Sequence, residues 1–184
     1  MAFKEYGNYD AVGLAELVRK KEVSPKDLLD EAIARTAKVD PQINAVVVKH
    51  YDYAERQISR SLPDGPFTGV PFLLKDLDLL EGTRTTSGAS VLKDFVADHN
   101  GTLAQRFLDT GVAIFGKSSS PEFGLMPTTE SRLHGPTRNP WNLELRRDCN
   151  DFNSFPRTFP TSLKSFPTSL AACPGDAAFT LAAV

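Results

Sequence analysis

The chain has 184 residues, 41% hydrophobic and 24% charged, which is the composition of a globular domain with a real core. A net charge of -2 and a pI near 5.9 give no electrostatic reason to expect nucleic acid or an anionic membrane as the partner. The first ten residues lack the apolar run of a secretory signal, and no stretch approaches the ~18 apolar residues of a membrane span, so we expect a cytoplasmic protein.

Two amphipathic helices are predicted at the amino-terminal end. Asp10 can cap the first helix, and Ser24-Pro25 is a start signal for the second. The apolar spacing of the second helix ends at Asp40-Pro41, where we expect the helix to stop. Residues 45–48 then indicate a short buried strand, and residues 52–61 a third helix.

A turn cluster at residues 63–66 leads into a strand that ends in a lysine. The run from Gly69 to Lys75 reads Gly-Val-Pro-Phe-Leu-Leu-Lys and is followed by Asp76. Because charged side chains are rarely buried without a partner, Lys75 either reaches solvent or has a chemical role. Side chains alternate between the two faces of a strand, so we expect Asp76 to point away from Lys75 and to be structural.

A hydroxyl-rich loop follows the lysine at residues 83–90, with the sequence Thr-Arg-Thr-Thr-Ser-Gly-Ala-Ser. Such a loop could line a substrate pocket, but its composition favours a solvated surface loop. Beyond it, an apolar helical face at residues 103–108 ends at Gly111, and residues 112–115 are another buried strand. The alternation of helices and strands predicts an α/β core.

One alternative interpretation concerns nucleotides. Residues Gly111 to Ser118 read Gly-Val-Ala-Ile-Phe-Gly-Lys-Ser and satisfy the P-loop pattern GxxxxGK[ST]. A P-loop requires a strand before its first glycine and a helix after its lysine. Here a helix is predicted first and the middle residues are themselves the strand, so the nucleotide site is the weaker alternative.

The histidines and cysteines give no support for a metal or a cofactor. The three histidines, at 50, 99 and 134, have neither metal-ligand spacing nor the spacing of a serine triad. Cys149 and Cys173 form neither a CxxC pair nor a disulfide scaffold. We therefore predict no metal site and no cofactor.

Four segments together resemble the amidase signature family. They are residues 69–76, with Gly-Val-Pro and Lys-Asp, residues 86–90, residues 116–123 and residues 135–142, which end in Asn-Pro-Trp-Asn. Their order and spacing are those of the family, and the likeness covers about residues 10–144. The resemblance implies a partial α/β fold, a mixed sheet flanked by helices, for an amino-terminal amidase part at residues 1–144.

The same resemblance implies a function and site residues. The family hydrolyses carboxamide C–N bonds with a serine, cis-serine, lysine triad through an acyl-enzyme. Lys75 matches the lysine, a general base that acts in its neutral form, and the apolar residues before it would favour that form by desolvation. Gly124 and Met126 fall in a segment that borders the substrate cleft. The expected partner is a small-molecule amide, and a homo-oligomer is compatible with the family.

The sequence departs from the family after Asn142. The family continues into a Gly-Gly-Ser-Ser-Gly-Gly stretch with the bridging serine, whereas this chain reads Leu-Glu-Leu-Arg-Arg from residue 143. Residues 145–184 are a Pro/Phe/Ser-rich segment that we predict to be irregular, and its serines lack flanking glycines. Neither catalytic serine can be assigned.

A shifted reading frame or a mis-spliced gene after Glu144 would explain this abrupt change. The chain as written then keeps one of three catalytic residues, and we expect it to be inactive, because members of such a unit act together. The alternative is a non-catalytic binding protein or pseudoenzyme that uses the same half-fold.

Overall fold

The structure, a computed structural model, describes residues 3, 5–140 and 142–146, the last three by their backbone alone. Its α-helices in that range are α1 (Ala11–Arg19), α2 (Pro25–Ile43), α3 (Tyr51–Ser59) and α4 (Thr102–Asp109). Its strands are β1 (Val46–Lys49), β2 (Pro71–Lys75), β3 (Ala113–Ser118), β4 (Glu130–Ser131), β5 (Gly135–Pro136), β6 (Arg138–Asn139) and β7 (Asn142–Arg146). Short 3-10 turns cover Tyr6–Asn8, Ser90–Leu92 and Glu122–Gly124.

The first two helices begin where the sequence predicts. The Asp10 carboxylate accepts a 2.8 Å hydrogen bond from the backbone N–H of Gly13 and so caps α1. At the start of α2, Ser24 and Asp27 form a capping box in which each side chain accepts from the backbone of the other. Both devices satisfy N–H groups that a helix leaves unpaired at its first turn.

The predicted end of α2 is wrong, because the helix continues to Ile43 with Pro41 inside it. Proline removes one helical hydrogen bond, but here it lies in the last turn, where little helix remains to be disrupted. The Asp40 side chain compensates, since its Oδ1 accepts from the N–H groups of Ala45 and Val46, each at 2.8 Å. The carboxylate therefore joins the end of α2 to the start of β1.

The central sheet has the strand order β1-β3-β2 and is mixed. Strands β1 and β3 are antiparallel, whereas β2 and β3 are parallel. A mixed sheet flanked by helices is the predicted α/β class, which is confirmed. Strand β3 is longer than predicted because Gly116, Lys117 and Ser118 continue the pairing with the last three residues of β2.

The two faces of the sheet pack against different helices. On one face, Leu73 and Phe115 belong to a hydrophobic cluster with buried residues of α1 and α2. On the other face, Phe72 and Ile114 pack with Ala104 of α4. Apolar side chains thus cover both sides of the strands, as expected for a buried strand that shows no polar alternation.

The described helices do not include one that is both long and apolar enough to cross a bilayer.

Candidate active site

The carboxyl ends of the parallel strands β2 and β3 lie side by side. Lys75 closes β2, and its Cα partner in β3 is Ser118. The segments that leave these two ends, residues 76–88 and 119–137, carry most of the buried polar side chains of the structure. Ligand sites in α/β proteins often form at the carboxyl ends of strands, so this edge is the candidate active site.

Lys75 is half-buried at this edge. Its carbonyl accepts a 3.0 Å hydrogen bond from the N–H of Asp78, which closes a tight turn directly after the strand. No described residue forms a hydrogen bond or an ion pair with the Lys75 ammonium group. The backbone of Lys75 is thus fixed at the strand end, and its half-buried amine has no hydrogen-bond partner among the described residues.

Asp76 lies on the opposite face, as predicted from strand alternation. Its side chain is 0% exposed. Oδ1 accepts from the backbone N–H of Thr86 at 2.9 Å, and Oδ2 accepts from the Thr86 hydroxyl. A weaker contact joins Oδ2 to the N–H of Gly88 at 3.5 Å. Asp76 therefore fixes the hydroxyl-rich loop to the end of β2, and a structural role for it agrees with the prediction.

His134 extends this network to the β4–β5 hairpin. Its Nε2 lies 2.9 Å from the Thr86 hydroxyl and 3.9 Å from Asp76 Oδ2. Since the Thr86 hydroxyl donates to Asp76, it accepts from His134. Burial lowers the pKa of His134, and Asp76 opposes this shift by attraction. The backbone carbonyl of His134 also accepts from the Asn44 amide at 2.7 Å, which holds the hairpin against the end of α2.

The loop itself is not the solvated surface loop that its composition favoured. Thr83, Thr85 and Thr86 are all buried. Their hydroxyl groups are bonded inside the protein, to the Leu80 carbonyl, the Lys117 ammonium group and Asp76 respectively. The prediction failed because threonine is small and half apolar, so a loop rich in it is readily buried once its hydroxyl groups have partners.

Lys117 is a second lysine at the same edge, and it is 0% exposed. Its Nζ donates to the Thr85 hydroxyl and, at 3.1 Å, to the Asp78 carbonyl. Burial lowers the pKa of Lys117 to about 8, although attraction to Asp76 and Asp78 opposes the shift. Burial also raises the pKa of the Asp78 carboxyl, and both Lys117 and Lys75 oppose that change.

The P-loop alternative at Gly111 to Ser118 is wrong. Residues 113–118 are strand β3, so the backbone amides that would hold a phosphate form the sheet ladder instead. Lys117 is buried and bonded to protein groups. Gly111 serves a tight connection, because its φ is +86° and an added Cβ would lie 2.6 Å from the Pro63 carbonyl oxygen.

Gly124 lies close to the lysine edge, and Met126 is two residues further along the chain. Gly124 ends the 3-10 turn that follows β3, with a φ of +70°, and an added Cβ would come within 2.9 Å of Leu77 Cδ1. Leu77 is only two residues beyond Lys75. Met126 is 57% exposed. Gly124 therefore flanks the strand end, and the binding of substrate by Gly124 and Met126 stays a prediction.

Several predictions concern residues that the structure describes only in part. Residues 145 and 146 complete β7, and the rest of the predicted 145–184 segment, with both cysteines, lies outside the described residues. The domain boundary at 144 stays a prediction. Among the described residues, no group of three or more His, Cys, Asp or Glu side chains could hold a metal ion.

Sequence reasoning missed Lys117, Asp78 and His134 as parts of the site. A signal for Lys117 was available, because Ala-Ile-Phe-Gly-Lys repeats the pattern of an apolar strand that ends in a lysine, as Phe-Leu-Leu-Lys does before it. No local pattern marks His134, since its partner Thr86 is 48 residues away along the chain.

The protein-family model described as Amidase matches residues 27–147. A match of this extent, on this fold, defines the class, and the chain belongs to the amidase signature family. The 6-aminohexanoate-cyclic-dimer hydrolase of Paenarthrobacter ureafaciens is 43% identical over 137 residues, which are 73% of this chain and 27% of that protein. A glutamyl-tRNA(Gln) amidotransferase subunit of Deinococcus deserti is 39% identical over 140 residues, 73% of this chain and 28% of that protein.

Solved structures agree with this assignment. The substrate complex of 6-aminohexanoate cyclic dimer hydrolase superposes with a TM-score of 0.71 and 40% identity, covering 76% of this chain and 29% of that one. A bacterial aryl acylamidase of the amidase signature family gives a TM-score of 0.68 and 34% identity, with 76% and 31% covered. The chain thus spans less than a third of the length of these relatives.

A buried histidine outside the lysine edge yields a prediction about pH. His50 precedes α3, and both of its ring nitrogens are buried without a hydrogen-bond partner among the described residues. Burial, together with the nearby Lys117 charge, lowers the pKa of His50 to about 4 from 6.5. The folded state therefore keeps His50 neutral, and its contribution to stability is complete above pH 6.5 and is lost as the pH falls towards 4.

We expect His50 to lower the free energy of unfolding by about 2 kcal/mol between pH 7 and pH 5. Urea unfolding followed by circular dichroism at both pH values measures this loss. In His50→Phe the loss should shrink by that amount, while the exposed control His99→Phe should behave as the wild type. An equal loss in wild type and His50→Phe would contradict the assignment.

Proposed function

We propose that this chain contributes the lysine of an amide hydrolase that cleaves carboxamide C–N bonds with a Ser-cisSer-Lys triad. The observation that carries the proposal is the position of Lys75, which is half-buried at the end of β2 in a chain of the amidase signature family. Its amine forms no hydrogen bond with any described residue. Lys75, rather than Lys117, is the base because a serine or a substrate can approach the partly exposed Lys75, whereas Lys117 is 0% exposed.

The proposed chemistry proceeds through an acyl-enzyme. The neutral Lys75 amine accepts a proton from the bridging serine, which takes the proton of the nucleophilic serine as that oxygen attacks the carbonyl carbon. The C–N bond then breaks, and the proton returns through the same groups to the leaving nitrogen. A water molecule then attacks the ester carbonyl while its proton passes through the bridging serine to Lys75. The C–O bond to the nucleophilic serine breaks, that oxygen takes the proton back, and the triad is restored.

The proposed triad needs two serines that cannot be assigned in this sequence. The Gly-Gly-Ser-Ser-Gly-Gly stretch expected after Asn142 is absent from the printed sequence. We therefore propose that the 184-residue chain by itself does not turn over an amide and becomes competent only with the remaining part of an amidase domain. The same absence favours a second candidate, a non-catalytic binding protein built on this half-fold.

The substrate we propose is a small amide with an apolar portion next to the scissile bond. Gly124 would border it because it lies beside Leu77, just beyond the strand end, and Met126 would border it as an exposed side chain two residues further on; the neighbouring Phe123 and Leu125 are exposed as well. The near neutrality of the chain argues against nucleic acid and anionic membranes as partners. We also propose a cytoplasmic location, which cell fractionation tests.

The role of Lys75 is tested in a chimera. Residues 1–142 are joined to the part of the P. ureafaciens cyclic-dimer hydrolase that follows its match to this chain, and hydrolysis of the 6-aminohexanoate cyclic dimer and of aryl amides is assayed. Removing a general base costs about 10²–10⁴-fold, so Lys75→Met should lower kcat by that factor. The exposed Lys93→Met is the matched control and should leave kcat unchanged.

The 184-residue chain is assayed beside the chimera and should show no hydrolysis above the blank. Turnover by that chain, abolished in Lys75→Met, would overturn the claim that it is inactive by itself. Full kcat in the Lys75→Met chimera would show that Lys75 is not the base.

The substrate contact is tested in the same chimera with Met126→Ala. Because Met126 would touch the ground state and the transition state alike, we expect KM to rise about threefold to tenfold with kcat nearly unchanged. Val12→Ala, at another exposed apolar residue of the chimera, is the control. An unchanged KM in Met126→Ala would remove this residue from the substrate site.

A further inference from the structure

We infer that Lys117 is a positioning residue that acts on Lys75 through Asp78. This inference rests on the proposed function, since it assumes that the amine of Lys75 is the group that must be held ready. In the sequence, Lys117 belongs to a P-loop pattern and to the segment 116–123 that resembles the amidase signature family, with no role of its own, and the structure gives it a specific set of contacts.

The first step concerns the backbone. The N–H of Asp78 donates to the Lys75 carbonyl at 3.0 Å, and the carbonyl of Asp78 accepts from Lys117 Nζ at 3.1 Å. The residue that closes the turn after Lys75 is therefore held from both sides. Strand β3, in the middle of the sheet, supplies one of these two bonds.

The second step concerns the loop. Lys117 binds the hydroxyl of Thr85, and Asp76 binds the hydroxyl and the N–H of the next residue, Thr86. Lys117 pairs with Leu74 across the sheet and so lies on the face opposite to Lys75, where Asp76 also lies. Two buried charges on one face thus fix the loop, and Lys75 remains clear of it on the other face.

The third step concerns charge. The Asp78 carboxyl is attracted to both Lys75 and Lys117. The other titratable groups that face Lys117 are Asp76 and His50. While Lys117 is present, Asp78 has a buried cation that compensates its charge. Without Lys117, the Asp78 carboxylate would have Lys75 as its counter-ion and would hold the amine in its charged, unreactive form.

The experiment measures the reactivity of Lys75 in the full 184-residue chain. The protein is treated briefly with acetic anhydride at pH 8, and acetylation of Lys75 is compared with that of the exposed Lys93 by mass spectrometry of peptides. Only a neutral amine is acylated. In Lys117→Met the ratio of Lys75 to Lys93 should fall about threefold, the size of effect that a partly exposed charge pair supports.

A second substitution separates the charge effect from a general loosening of the fold. Adding Asp78→Asn to Lys117→Met removes the competing carboxylate and should restore the ratio to the wild-type value. An unchanged ratio in folded Lys117→Met, or a fall that Asp78→Asn does not reverse, would overturn the inference. Circular dichroism and urea unfolding verify that each variant is folded.

If Lys117→Met does not fold, the acetylation ratio of Lys75 to Lys93 is measured in Asp78→Asn alone. The ratio should then rise about threefold, because the positive charge of Lys117 is no longer compensated by Asp78 and disfavours the charged form of the Lys75 amine, and an unchanged ratio would overturn the inference. The readout needs neither serine nor amide turnover. A failure of Lys75 as the base would appear only in the chimera, so the two claims fail separately.

Discussion

The arrangement of the candidate site depends on two buried charges of opposite sign, Asp76 and Lys117. Both are 0% exposed, and a charge in such a place is tolerated only when its hydrogen bonds are satisfied. The protein meets this requirement with Thr86 for the acid and with Thr85 and the Asp78 carbonyl for the base. The loop that follows β2 is therefore ordered by the partners that these two charges require.

Alternation along the strands gives the lysines their separate roles. A difference of one residue in register would place Lys117 on the face of Lys75 and would separate it from the Thr85 hydroxyl. As built, one lysine is a buried structural cation and the other presents its amine at the strand end. The chain belongs to the amidase signature family, whose compared members are a cyclic-dimer hydrolase, an aryl acylamidase and a subunit of an amidotransferase.

Local patterns predicted the caps at Asp10 and Ser24, the α/β class and the position of Lys75 at a strand end, because each depends on neighbouring residues, whereas the mixed sheet was implied by the family resemblance. The end of α2 was missed, since the Asp40 side chain bonds to β1 across the helix end. The burial of the threonine loop and the role of Lys117 depend on partners 10 to 32 residues away along the chain. Such contacts follow from the folded sheet, and no local periodicity contains them.

The most direct test of this account is the accessibility of the two lysines in the native chain. Acetylation of Lys75 and Lys117 is followed over time at increasing urea concentration below the unfolding transition. The account predicts that Lys75 reacts without unfolding, while Lys117 reacts only at the rate at which the protein opens globally, with the matching urea dependence. Equal acetylation of the two lysines in the absence of urea would contradict the claim that Lys117 is buried and bonded inside the protein while the Lys75 amine is accessible.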